Sequence, residues 1–185
     1  MRTRAAAVAV AVLAVVGATT GCAERPGVAA VVDGREITQD ALNQTVDQLQ
    51  PILGKADGSA LDPQVVLTVL LVSPATVEVG EQFGIDVTDD AAREVLRTVA
   101  EKKGVDVGAI RSGSLAVGRY LVVMQESQGV ADAAGFQKAL DTAWNTIDVD
   151  LNPRYGAWQP GAGVVAGGVP DWIVGAADAE APTAQ

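Results

Sequence analysis

The chain has no histidine and a single cysteine, Cys22. Ser-His and Cys-His nucleophilic sites and histidine-based zinc sites are thereby excluded, because each needs an imidazole as base or ligand. A disulfide within the chain is excluded as well. Aromatic residues number only seven in 185, too few to line the cleft in which paired carboxylates cleave glycosides. Cations are scarce beside acids, 13 Lys and Arg against 23 Asp and Glu, for a formal charge of −10. Such a surface repels nucleic acid and anionic lipid head groups alike, so no nucleic-acid partner is expected. No motif calls for a metal or a cofactor.

Long apolar runs are also few. The first, Ala5 to Val16, holds twelve uninterrupted apolar residues behind Arg2 and Arg4 and runs into small residues ahead of Cys22. As a helix it reaches about 18 Å, against a hydrocarbon core of ~30 Å, so it reads as an export signal and not as a membrane span. The stretch Thr19-Thr20-Gly21-Cys22 resembles the lipobox of bacterial lipoproteins, with Thr19 where leucine is commoner. That resemblance implies a diacylglyceryl group on Cys22, which would become the mature N-terminus. The alternative is an ordinary signal peptide cut nearby, leaving a free thiol. From Cys22 on, the chain keeps 11 cations and all 23 acids, a charge of −12, so attachment to a membrane has to come from acyl chains.

The remaining residues suffice for one domain with a core of its own. Val28 to Thr38 (VAAVVDGREIT) places Asp33-Gly34 between two short apolar runs, the pattern of a hairpin closed by a type I′ turn. Thr38 is a good N-cap for a helix carrying Leu42, Val46, Leu49 and Leu53 on one face and ending near Gly54. Asp62-Pro63 opens the next helix, whose segment Val65 to Val72 is apolar nearly all round and belongs at the centre of a bundle. Pro74 is expected to end or kink it.

Thr88, Asp89 and Asp90 open a third helix that Lys102 and Lys103 close before Gly104, with Ala92, Val95, Leu96 and Val99 facing inward. Leu115 to Met124 forms a fourth, stopped near Gly129, and Phe136, Leu140, Trp144 and Ile147 mark the face of a fifth. Asp148 to Asn152 alternates as a short strand ended by Pro153, with the N-terminal hairpin as its nearest partner and Tyr155 to Trp158 as a possible extension. From Gln159 on, the Gly, Ala and Pro content predicts a flexible tail, in which Val169, Trp172 and Ile173 are the positions able to dock. The expected fold is mostly α: a helical domain with a small β-hairpin at its N-terminus paired with a short C-terminal strand.

Candidate chemistry is thin. Ser112 or Ser114 with Lys102 or Lys103 would make a Ser-Lys dyad, but a polar loop after a lysine-capped helix accounts for them. Asp148, Asp150 and Asn152 fill the first three ligand positions of an EF-hand loop, yet Pro153 stands where glycine is required and Gln159 where glutamate is required. Gly161-Ala162-Gly163-Val164-Val165-Ala166 fits the relaxed dinucleotide fingerprint but follows Pro160 instead of a strand, so a flexible loop is expected. Catalytic, metal and cofactor-binding residues are therefore assigned to none, and Cys22 is the one site residue, for lipidation.

Val28 to Leu42 (VAAVVDGREITQDAL) resembles the opening of the SurA-type periplasmic chaperone domain: a short apolar strand, a turn, an isoleucine, a capping residue and a long helix. Val31, Val32, Gly34, Ile37, Thr38 and Leu42 fill those places, with Asp33 where asparagine is more usual. Asn152 to Trp158 (NPRYGAW) resembles the closing strand and loop of actinobacterial lipoproteins that carry this domain. The resemblance implies a signal peptide over 1–21, a tether over 22–27, a SurA-like helical domain over 28–158 and a tail over 159–185. It further implies a non-catalytic, lipid-anchored protein on the extracytoplasmic face of the cell membrane that binds unfolded or newly exported polypeptides. The parvulin prolyl-isomerase domain that often accompanies such domains uses histidine, which this chain lacks. The competing expectation is a small-ligand-binding or envelope-assembly lipoprotein.

Overall fold

The computed structural model describes residues 26–54 and 59–167. Cys22, the apolar run Ala5 to Val16 and the positions Val169, Trp172 and Ile173 lie outside the described residues.

Five strands and five α-helices follow one another as β1 (Val28–Val32), β2 (Arg35–Thr38), α1 (Gln39–Leu53), α2 (Pro63–Gln82), α3 (Asp89–Lys102), α4 (Ser112–Glu126), α5 (Ala133–Thr146), β3 (Val149–Leu151), β4 (Ala157–Gln159) and β5 (Gly163–Val165) among the described residues. The fold is mostly helical, with the hairpin and the closing strand where the sequence places them. Asp33 and Gly34 both take positive φ, 47° and 77°, which is what a two-residue type I′ turn demands. Strand β1 then sits between β2 and β3, antiparallel to both, with Val31 opposite Glu36 on one side and Asp150 on the other.

The two ends of the domain are thereby tied together. Asn152 reinforces the seam, donating its backbone N–H to Ala29 O and its amide to Val28 O, each at 3.0 Å.

Helix starts follow their capping residues. Thr38, Asp62, Thr88 and Asp132 each accept from a backbone N–H of the first turn, those of Ala41, Gln64, Ala91 and Gly135. Helix α4 has no such cap of its own. Gln48 of α1 serves instead, accepting from Arg111 N at 3.0 Å and donating to Ala109 O at 2.8 Å. At the far end of α3, Gly104 takes φ 68° while Gly104 N bonds Glu101 O and Val105 N bonds Ala100 O, a Schellman ending.

Helix α2 lies at the centre, packed on α1, α4, α5 and β5. It does not end at Pro74 and runs on to Gln82. Proline removes the donor that Leu70 O would receive, and Arg35 Nη2 approaches that carbonyl at 3.5 Å from β2. Ser73 Oγ donates to Ala116 O of α4 at 2.8 Å, and Val72, Thr76, Val79 and Gly80 are buried on both sides of the proline. Packing on either side holds the helix through the missing bond.

One core cluster joins the sheet, α1, the first half of α2 and parts of α3 and α4 through Leu42, Leu49, Leu67, Leu71 and Leu96. A second joins the rest of α2 to α4 and α5 through Val79, Val123, Phe136 and Leu140. On α3, Ala92 and Leu96 are buried as expected, joined by Ala100, while Val95 and Val99 are half-buried.

The last strands correct two expectations. Tyr155 to Trp158 does not extend β3. A 3-10 turn over Pro153–Tyr155 redirects the chain, and β4 pairs with β5 in a separate sheet. The Gly161 to Ala166 segment is accordingly a structured hairpin arm and not a flexible loop. It rests on α2, with Val164 N donating to Thr68 Oγ1 at 2.9 Å and no space for a Cβ at Gly163 beside that threonine.

Candidate functional site

None of the sequence candidates for chemistry is assembled as a site. Ser114 is buried with its hydroxyl unpartnered, Ser112 is exposed, and Lys103 Nζ donates at 2.6 Å to Gly54 O at the end of α1. Lysine and serine thus serve different elements. Asp150 stands on β3, and Asn152 spends its side chain on Val28 O and on accepting from Arg154 N. These roles belong to the sheet seam and not to a calcium loop. Asp62 and Asp132 act as caps, and Asp89 holds Arg119 of α4 through two hydrogen bonds and Arg93 through an ion pair.

What the fold does present is a set of open grooves along α2. The largest of those described, about 670 Å³, lies between the second half of α2 and α5. The two helices run antiparallel, fixed at one end by Trp144 Nε1 donating to Thr76 Oγ1 at 3.0 Å and at the other by Phe83 and Phe136, edge to face at 5.4 Å. Small residues keep the space between them open: Ala75 on α2, Ala139 and Ala143 on α5, with Val79 and Ile147 supplying apolar surface.

Glu78 and Gln82 line the α2 rim, and Lys138 and Thr142 the α5 rim. Thr142 and Thr146 turn their hydroxyl protons back onto their own helix, onto Lys138 O and onto Thr142 O and Ala143 O, so neither proton is offered to a ligand. The groove is amphipathic, with a small-residue floor and charged margins.

A second groove of about 480 Å³ lies on the other side of α2, between Arg35 of β2 and Arg119 of α4. The Asp89–Arg119 pair occupies its wall, so its charges already serve each other. The first groove holds no such ion pair among the described residues.

Over 90 residues the chain is 32% identical to "Chaperone SurA" of Pseudomonas putida, an alignment that covers 46% of this chain and 21% of that protein. The chain is SurA-like over that stretch. Two strains of Pseudomonas fluorescens give the same picture, "Chaperone SurA" at 30% identity over 90 residues in one and over 82 in the other, covering 46% and 42% of this chain and 21% and 19% of theirs. The chain therefore spans about a fifth of the length of these curated relatives. No family model matches the chain, and no solved structure matches it. The SurA-like similarity agrees in kind with the hairpin-and-helix opening at Val28 to Leu42 and adds no site residue to it.

Site residues that the sequence did not single out are those of the groove. Ala75, Ala139 and Ala143 carry no chemical signal, because a concavity between two helices depends on where small residues from distant segments meet. The one trace in the sequence is the recurrence of alanine at 139 and 143, four residues apart on one helix face.

Proposed function

We propose that this protein is a non-catalytic, chaperone-like module that binds unfolded or newly exported polypeptides, held at the extracytoplasmic face of the cell membrane by a diacylglyceryl group on Cys22. The observation that carries the reading is the 32% identity over 90 residues to a protein named a chaperone. The α2–α5 groove supports it physically. An open trough with an alanine floor and polar margins admits a short extended or helical segment through backbone and small apolar contacts, without demanding one sequence.

The lipid anchor rests on the lipobox-like Thr19 to Cys22 and on the short stretch that follows. Ala23 to Gly27 extends about 17 Å at most, so β1 would begin close to the membrane from which exported chains emerge.

Crosslinking in intact cells tests both parts. A photoreactive residue in place of Thr142, on the groove rim, is expected to capture many different exported proteins, and the Cys22→Ser form is expected to leave the membrane fraction. Capture of one protein alone would make it a dedicated assembly factor instead, and retention of Cys22→Ser in the membrane would remove the anchor.

A further inference from the structure

We infer that the α2–α5 groove selects client segments with a Lys or Arg at one end of a short apolar run, the cation resting where α5 ends beside Asp33. This rests on the reading of the groove as a polypeptide site and adds a direction and a charge preference to it.

A helix carries partial positive charge at its N-terminus and partial negative charge at its C-terminus, and a basic residue in the last turn ordinarily offsets the latter. Helix α5 has no basic residue in its last turn. What stands there instead is acid: Asp33, from the β1–β2 turn, lines the groove next to Ile147, and its Oδ1 accepts from Asp148 N at 3.1 Å. The exposed Asp33 carboxylate thus stands in the groove at the negative end of the helix.

At the opposite end the sign reverses. Lys138 lines the groove near the start of α5, where the antiparallel α2 brings its own C-terminal end at Gln82, so the two helix dipoles offset each other and the Lys138 ammonium sets the sign there. From Gly135 to Thr146 the axis covers about 16 Å at 1.5 Å per residue, the length of some five extended residues. Glu78 stands midway along the α2 rim and favours neither end. A bound segment is therefore sorted by its ends, cation toward Asp33 and neutral or anionic end toward Lys138, with the apolar middle over Ala75, Val79, Ala139 and Ala143.

The test uses the full mature chain with Cys22→Ser and three eight-residue Ala/Val peptides that end in two lysines, two serines or two glutamates. Titration followed by fluorescence anisotropy is expected to rank them lysine, serine, glutamate. The lysine peptide should bind about fivefold more tightly than the serine peptide, as for exposed charge pairs. That advantage should fade in high salt.

Asp33→Asn keeps the turn, because asparagine tolerates positive φ, and should remove the lysine advantage while leaving the serine peptide unchanged. Equal binding of all three peptides would overturn the charge preference and leave the chaperone reading standing. Suppression of client aggregation with no peptide binding in the groove would move the client site elsewhere and overturn the inference. Failure of both measurements would end both readings.

Discussion

Trp144 and Thr76 meet through one hydrogen bond, and much of the groove's geometry depends on it. Thr76 is fully buried, so Trp144→Phe leaves its hydroxyl without that donor in a dry setting, and a loss of about 1 to 3 kcal/mol is expected in urea unfolding. Tyr120 makes a second prediction at this scale. Burial pushes its hydroxyl above the ordinary value of 10.0, because the phenolate is poorly solvated there. In the unfolded chain the group ionises first, so the folded state binds more protons in alkali and stability falls as pH rises past 10.0. The fall in urea midpoint between about pH 9 and about pH 11 should be smaller in Tyr120→Phe than in the parent. Single residues with local roles were legible in the sequence. Thr38, Asp62 and Thr88 declare themselves as caps because a cap needs only its own side chain and the next turn. The Trp144–Thr76 bond spans 68 residues, and nothing local announces it.

Helix α4 packs closely on α3 and α2, and glycine makes this possible. A Cβ on Gly118 would stand 2.8 Å from Ala92 O of α3, and one on Gly80 would stand 2.9 Å from Val123 Cγ2. Backbone yields less readily than a side-chain methyl. Gly118→Ala is therefore expected to cost about 1 to 3 kcal/mol, and more than Gly80→Ala, by thermal or urea unfolding. If the two were equal, or Gly118→Ala stabilising, the close α3–α4 contact would be refuted. Five helices, the hairpin and the closing strand could be read from periodicity, because each buries one face along its own length. Two features could not. Helix α2 continues through Pro74 because Arg35, Ser73 and buried neighbours on both sides hold it, and these partners come from other elements. Strands β4 and β5 hide in a Gly- and Pro-rich stretch whose order comes from Thr68 of α2 and from mutual pairing. Composition registers neither.

For the molecule as a whole, the seam between β1 and β3 closes the chain on itself, and α2 forms the spine on which the groove is built. The hairpin-and-helix opening could be read from Val28 to Leu42, whereas the groove could not, since it exists only once α2 and α5 lie antiparallel. Filling it should separate function from stability. Ala139 is half-buried on the groove floor, so Ala139→Phe projects a ring into open space and should leave the unfolding midpoint nearly unchanged while reducing protection of clients several-fold. The most direct measurement of the central claim is light scattering from a chemically unfolded exported protein diluted into buffer with an equimolar amount of the full mature chain, Cys22→Ser. Aggregation is expected to be slowed by the parent chain and much less by Ala139→Phe. Aggregation at the same rate with and without the parent chain would contradict it.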